Sequence, residues 1–178
     1  MKTAPLAAVC ALAASICLLP AAAYADMASQ SDRQFIRAAG YGGNDEIALS
    51  KVAAVRSNDP NVRMFARRMI RQHSEAGAEL AQIAKSLGVT PPAVPDAKHR
   101  MMKAQLERLG GRAFNMTYIN DMVADHTAAN NVFQMGTTVT NSDLRSFADS
   151  TLPVVQNHLK MAAEMQQELK QGGRMAAM

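Results

Sequence analysis

Residues 62–87, VRMFARRMIRQHSEAGAELAQIAKSL, decide the fold. Val62, Phe65, Met69, His73, Ala76, Leu80, Ile83 and Leu87 recur in steps of three and four, the spacing of one face of an α-helix. His73 is the polar member of that otherwise apolar stripe. Asp59 supplies an N-cap and Pro60 a first helical residue, and Gly88 suits the position just past the end. The stretch therefore predicts one long amphipathic helix that buries an imidazole at its middle.

The same pattern recurs on both sides. A helix over 31–57 carries the stripe Phe35, Ala39, Gly42, Glu46, Leu49, Ala53, with Ser31 and Gln34 as a capping box. Gly42 and Gly43 fall inside it, where each costs about 0.5–1 kcal/mol relative to Ala. They imply either an interruption or a close backbone approach beside Glu46. Asn58-Asp59-Pro60 is too short a connection for anything but antiparallel neighbours. After a proline-rich loop at 90–95, a short helix over 96–109 closes at Gly110-Gly111. This crossover is long enough for the helices it joins to run parallel. A helix over 112–138 has the stripe Ile119, Met122, His126, Ala129, Phe133. The last helix starts at Asn141 or Ser142, presents Val155, His158, Ala162 and Met165 on its stripe, should kink at Pro153 one turn before His158, and ends at Gly172-Gly173. Hydrophobic residues make up 48% of the chain but aromatics only 4%, so Ala, Leu, Met and Val fill the core, as helices prefer. The prediction is an all-α, up-down four-helix bundle with one long crossover carrying a short helix.

Residues 1–25 read as a signal peptide. Lys2 precedes an apolar run over 5–19, and Ala23-Tyr24-Ala25 is a cleavage pattern. The run is too short for a comfortable anchor, and no later stretch is apolar enough to cross a membrane as a helix. The bundle domain is then 26–178, with its core at about 31–170. Cys10 and Cys17 both lie in the leader, so the mature chain has no disulfide, thiolate ligand or cysteine nucleophile. Removing Lys2, the one charge in the leader, takes the net charge from +4 to +3. That balance, with few aromatics, argues against nucleic acid as a partner. The expected location is periplasmic or secreted.

Four polar residues interrupt the apolar stripes: Glu46, His73, His126 and His158. At about 1.5 Å per residue, Glu46 lies roughly 18 Å before the turn at Asn58 and His73 roughly 22 Å after it. His126 and His158 lie roughly 21 Å and 27 Å from the turn near Thr140. All four sit at mid-height. One of them alone would be an ordinary satisfied core residue. Four together need partners, because unpaired buried polar groups cost several kcal/mol. One metal ion satisfies all four, and so does a mutual hydrogen-bond network with Glu46 ionised and one histidine protonated. A His₃Glu set suits Zn, Fe, Mn or Cu. Met69, Met122 and Met161 lie one turn from the histidines and would favour copper, although methionine at helical spacing is ordinary core filler. Ile70 and Val123 stand where Glu-x-x-His pairs would need carboxylates, which counts against ferritin-type iron oxidation. His99, among Lys98, Arg100 and Lys103, reads as exposed, and Arg63, Arg67 and Arg71 as a solvated face. G-x-S-x-G, H-E-x-x-H, P-loop and dinucleotide fingerprints are absent.

These residues carry a resemblance. Glu46 within 35–53, Phe65-Ala66-x-x-Met69 followed by His73-Ser74, Phe114-x-x-x-Tyr118, Met122-Val123-x-x-His126 and Leu152-Pro153-x-x-x-x-His158-Leu159 resemble the bacterial "domain of unknown function 4142" family. The resemblance spans about 31–170 and implies an exported, ferritin-like bundle without a settled activity. It maps the family's Glu/His positions onto Glu46, His73, His126 and His158. An acidic residue commonly precedes the second-helix histidine in this family, and here Gln72 stands there, which weakens a role for a carboxylate at that spot. The family's outer-membrane label finds no alternating apolar strands in this sequence to support it. The expected function is a helical bundle, not an enzyme, that holds one metal ion for metal handling or stress protection. A metal-dependent redox protein would need an open coordination position and a channel to it. The alternative is an envelope interaction or structural protein whose Glu/His cluster is only a buried hydrogen-bond network.

Overall fold

The computed structural model describes residues 27–175, with side chains described to residue 172. The leader and its cleavage pattern lie outside these residues. Five helices follow in order: α1 Gln30–Arg56, α2 Pro60–Ser86, α3 Ala97–Leu106, α4 Gly111–Gly136 and α5 Ser142–Met175. The described residues contain no strand.

Each helix boundary has a local chemical cause. At α1 the capping box is Ser29 with Asp32, two residues earlier than the pattern at Ser31 and Gln34 implies. The Ser29 hydroxyl accepts from the Asp32 amide, and the Asp32 carboxylate accepts from the Ser29 amide at 2.8 Å. Asp32 wins because it also accepts from the Asn141 amide at 2.9 Å, tying the start of α1 to the turn before α5. Burial would raise the Asp32 pKa, but the amides of Asn141 and Ser29 outweigh it and hold the carboxyl below its usual value. The α1 helix runs through Gly42-Gly43 without interruption. The close approach expected there occurs at Gly40 instead, where a Cβ would lie 2.9 Å from Cδ of Pro92. Asn44 secures that contact by donating to the carbonyls of Gly40 and Pro92 at 2.9 and 2.8 Å.

Asp59 caps α2 and Pro60 opens it, as the sequence predicts. Gly88 turns the chain out with φ +65°, a left-handed value that costs glycine little. Asp96 caps α3 by accepting from the His99 amide at 2.7 Å. Asn141 caps α5 through the amides of Asp143 and Leu144. The α5 helix continues past Gly172-Gly173 to Met175, beyond the predicted end. Two glycines lower helix propensity but do not forbid it at a helix end.

The four long helices pack side by side, α1 against α2 and α4, and α5 against α4 and α2. Two apolar clusters show the directions. One gathers Leu49 of α1, Phe65 of α2, Phe114 of α4 and Ala162 of α5; the other gathers Phe35, Leu80, Phe133 and Phe147. Thus the starts of α2 and α4 share one end with the finishes of α1 and α5. The helices joined by the crossover run parallel, and α3 lies against α1 and α4.

The polar residues fall between these clusters on every helix. Glu46 lies between Ile36 and Leu49, His73 between Met69 and Leu80, His126 between Met122 and Phe133, and His158 between Val155 and Ala162. The apolar core is therefore two cores separated by a polar layer. No described helix is long and apolar enough to cross a membrane.

Gly136 tests the packing of the second cluster. A Cβ there would lie 2.5 Å from the Phe35 ring and 2.8 Å from Cβ of Ala148. Gly136→Ala should lower stability by about 1–3 kcal/mol through overpacking. Gly43→Ala, whose added Cβ meets nothing within 4 Å, should leave stability unchanged or raise it by up to about 1 kcal/mol. Urea denaturation of the two variants checks the contrast.

Candidate metal centre

The polar layer brings together all four side chains singled out in the sequence. Glu46 is 1% exposed, His126 0% and His158 1%, and His73 is slightly more open. The three imidazole centroids form a nearly equilateral triangle with sides of 5.5, 5.3 and 5.3 Å. Each ring offers one nitrogen, and the three lie within 4.8 Å of one another. A point within about 2.8 Å of all three therefore exists (4.8 Å divided by √3). Metal–imidazole bonds of about 2.0–2.1 Å need a contraction of well under 1 Å from there.

Hydrogen bonds decide which nitrogens are free. Burial, first of all, pushes His73 and His158 down to about 3, with the other rings adding to it, and it also lowers His126. The rings are thus neutral, with one N–H and one lone pair each. In His126, Nδ1 donates to the Met122 carbonyl at 2.9 Å, leaving the Nε2 lone pair. In His158, Nε2 donates to Oε1 of Gln72 at 2.8 Å, leaving the Nδ1 lone pair. These two free nitrogens face each other at 3.3 Å with no proton to share. His73 Nε2 is buried without any partner.

Glu46 stands behind the rings. Its oxygens lie 3.1 Å from Nδ1 of His73 and 3.2 Å from Nδ1 of His126. Oε1 nevertheless has no partner of hydrogen-bonding geometry, because His126 Nδ1 is committed to Met122. Burial and the charges of Asp125 and Asp45 hold the Glu46 pKa well above the ordinary carboxylate range. The Glu46 carboxylate thus approaches the far nitrogen of His73, the position from which a carboxylate orients a metal-binding imidazole.

Three further contacts went unread in the sequence. Gln72, which there only weakened a carboxylate role, is the acceptor that sets the tautomer of His158. The Tyr118 hydroxyl and Ser50 share a buried hydrogen bond of 2.8 Å. The third is His99, which reads as exposed but is 8% exposed and surrounded by carboxylates. Its Nδ1 lies 3.0 Å from Asp45 and 2.9 Å from Asp96, and its Nε2 3.2 Å from Asp125. The crossover helix turns His99 inward because Asp96 caps it three residues earlier. A sequence signal existed: Asp45 and Asp125 each directly precede a predicted site residue, on the two helices that α3 covers. Although Asp45, Asp96 and His99 also lie within 4.8 Å, both His99 nitrogens already face carboxylates. That is the arrangement of an imidazolium counter-ion. Burial opposes its charge, but Asp96, Asp125 and Asp45 together raise its pKa. Burial pushes Asp45 up to about 6, yet the Asp96 amide at 2.8 Å and His99 favour its ionised form above that pH. The methionines are not part of the centre: Met69 and Met122 sit in an apolar cluster, and Sδ of Met161 accepts from Arg68.

The family model described as "Domain of unknown function (DUF4142)" matches residues 18–165. The chain belongs to this family. No curated protein sequence matches the chain. Among solved structures it is similar to the crystal structure of a DUF305 fragment from Deinococcus radiodurans, with a TM-score of 0.69 at 16% identity over 82% of this chain and 99% of that one. At that identity the likeness concerns the fold alone.

The His99 geometry has a pH consequence. A group whose folded pKa is raised stabilises fully below its unfolded value of 6.5, and this contribution fades as pH rises through the folded value. His99→Gln should therefore cost about 1–3 kcal/mol near pH 6, since it strips buried carboxylates of their cation, and less near pH 9. Chemical denaturation at the two pH values measures the difference.

Proposed function

We propose that this protein is an exported, ferritin-like four-helix bundle that holds one metal ion through His73, His126 and His158, with Glu46 as the carboxylate behind them. The antiparallel α1–α2 and α4–α5 pairs, joined by a crossover between parallel helices, support the ferritin-like description. The leader over 1–25 supports export to the periplasm or beyond. The observation that carries the metal reading is the orphaned Nε2 of His73, on a ring 5.5 and 5.3 Å from those of His126 and His158, whose lone pairs face each other. A buried nitrogen without a partner costs about 1–3 kcal/mol, and a cation at the centre of the triangle would satisfy all three at once. Turning the Gln72 amide over would let His158 donate to His126. It would leave His73 Nε2 and Glu46 Oε1 as they are, so a closed hydrogen-bond network accounts for less of the geometry.

Three neutral imidazoles suit Zn, Cu, Fe or Mn, and three protein ligands leave a further position open. The carboxylate count is too low for a di-iron centre. The role that fits is metal handling or stress protection; the open position leaves room for redox chemistry.

Metal analysis of the purified mature chain should find about one equivalent of a transition ion, or uptake of one added Zn²⁺, with a rise in melting temperature. His126→Ala should abolish uptake while helicity by circular dichroism stays nearly intact. Metal-free protein whose melting ignores Zn²⁺, Cu²⁺, Fe²⁺ and Mn²⁺, or full metal content in His126→Ala, would refute the site. Glu46→Gln separates ligand from supporting residue: acting behind the rings, it should weaken affinity by about 10–100-fold without changing stoichiometry.

A further inference from the structure

A cavity of about 550 Å³ opens beside the histidine triangle. It touches His73, His158 and Glu46, while His126 lies behind them. Its far walls are apolar, including Leu80, Val132, Phe133 and Phe147. Between α1 and α2 its rim is made of Gly42, Gly43, Ala76 and Gly77. A Cβ added at any of the three glycines would meet nothing within 4 Å, so the helices leave a gap there. Glycine inside a helix costs about 0.5–1 kcal/mol relative to alanine. Three such residues on one rim, none needed for a close contact, keep an opening that alanines or leucines would narrow. At the inner end, Oε1 of Glu46 and Nε2 of His73 are buried and without partners.

Size, polarity and charge define the occupant. The volume falls within the range of small-molecule pockets, about 300–1,000 Å³. The carboxyl and imidazole groups gather at the histidine end, and Thr151 is a polar residue among the apolar walls. No described lysine or arginine lines the cavity; Glu46, Asp45 and Asp125 do, and the one imidazolium among them, His99, is already held between Asp45 and Asp125. An anionic head would find no free cationic side chain there and a surplus of acidic groups over the single His99, so the fitting head is uncharged. We propose that this cavity admits an uncharged ligand with an apolar body and one nitrogen or oxygen donor, which takes the open position beside His73 and His158. This assignment rests on the metal reading above.

Cobalt(II) allows both to be tested in one sample, because its visible spectrum reports each change of ligand. The mature protein is loaded with Co²⁺ and titrated with 4-phenylimidazole, imidazole and benzoate. 4-Phenylimidazole should change the spectrum and bind at least about tenfold more tightly than imidazole, whose body leaves the apolar walls uncovered. Benzoate, similar in body but anionic in head, should leave the spectrum unchanged over the same range. Gly43→Leu and Gly77→Leu, which improve helix propensity, should keep the melting temperature and cobalt content while weakening 4-phenylimidazole at least about tenfold. Equimolar cobalt with a spectrum that ignores 4-phenylimidazole, or leucine variants that bind it as wild type does, overturns the port and leaves the metal site standing. Benzoate binding as tightly as 4-phenylimidazole overturns the uncharged class. A protein that takes up no cobalt overturns both readings together.

Discussion

The structure depends on one constraint: four long helices place polar side chains at the same height in an otherwise apolar interior. Glu46, His126 and His158 are almost fully buried, so bulk water does little to satisfy them. The two apolar clusters end where this layer begins, on every helix. Leaving such groups unpaired costs free energy comparable to a sizeable share of a small domain's net stability. The layer must therefore be resolved by contacts within it, and the tautomers of the rings show how far that goes. The Met122 carbonyl and the Gln72 amide oxygen each take one N–H, and the remaining nitrogens of His126 and His158 face each other at 3.3 Å. Hydrogen bonding fixes the orientation of the rings and at the same time leaves their donor atoms free.

Charge is arranged in two shells. The inner imidazoles are neutral because burial opposes a proton on any of them, and at His73 and His158 a neighbouring ring adds to it. The outer shell holds Asp45, Asp96 and Asp125, with His99 as their cation. Asp45 and Asp125 are chain neighbours of Glu46 and His126, so the shells share two helices and cannot move independently. The crossover does more than connect α2 to α4. Through His99 it covers the acidic face of α1 and α4, and through Pro92 it seats against Gly40.

The glycines of α1 illustrate how one residue type serves opposite ends within four positions. At Gly40 the missing side chain lets the proline loop pack closely; at Gly42 and Gly43 it leaves open space. Composition cannot tell these uses apart. Only what lies opposite each position does, and that is set by a loop some 50 residues away in the chain.

The sequence by itself determined the helices, because apolar periodicity, Asp59-Pro60, Gly88 and Asn141 are local signals whose physics acts within one or two turns. It also indicated that Glu46, His73, His126 and His158 lie near one height, since comparable distances from short turns follow from helical rise alone. It misplaced the first cap because Asp32 is selected by Asn141, which is 109 residues distant. It missed His99 for a related reason: a basic stretch looks solvated until the helix carrying it is laid on Asp45 and Asp125. Which nitrogen of each ring is free, that Glu46 stands behind the histidines, and that a gap between α1 and α2 leads to them were decided by tertiary structure. Those properties depend on side-chain directions across helices, and no spacing along one chain encodes the angle at which another helix meets it.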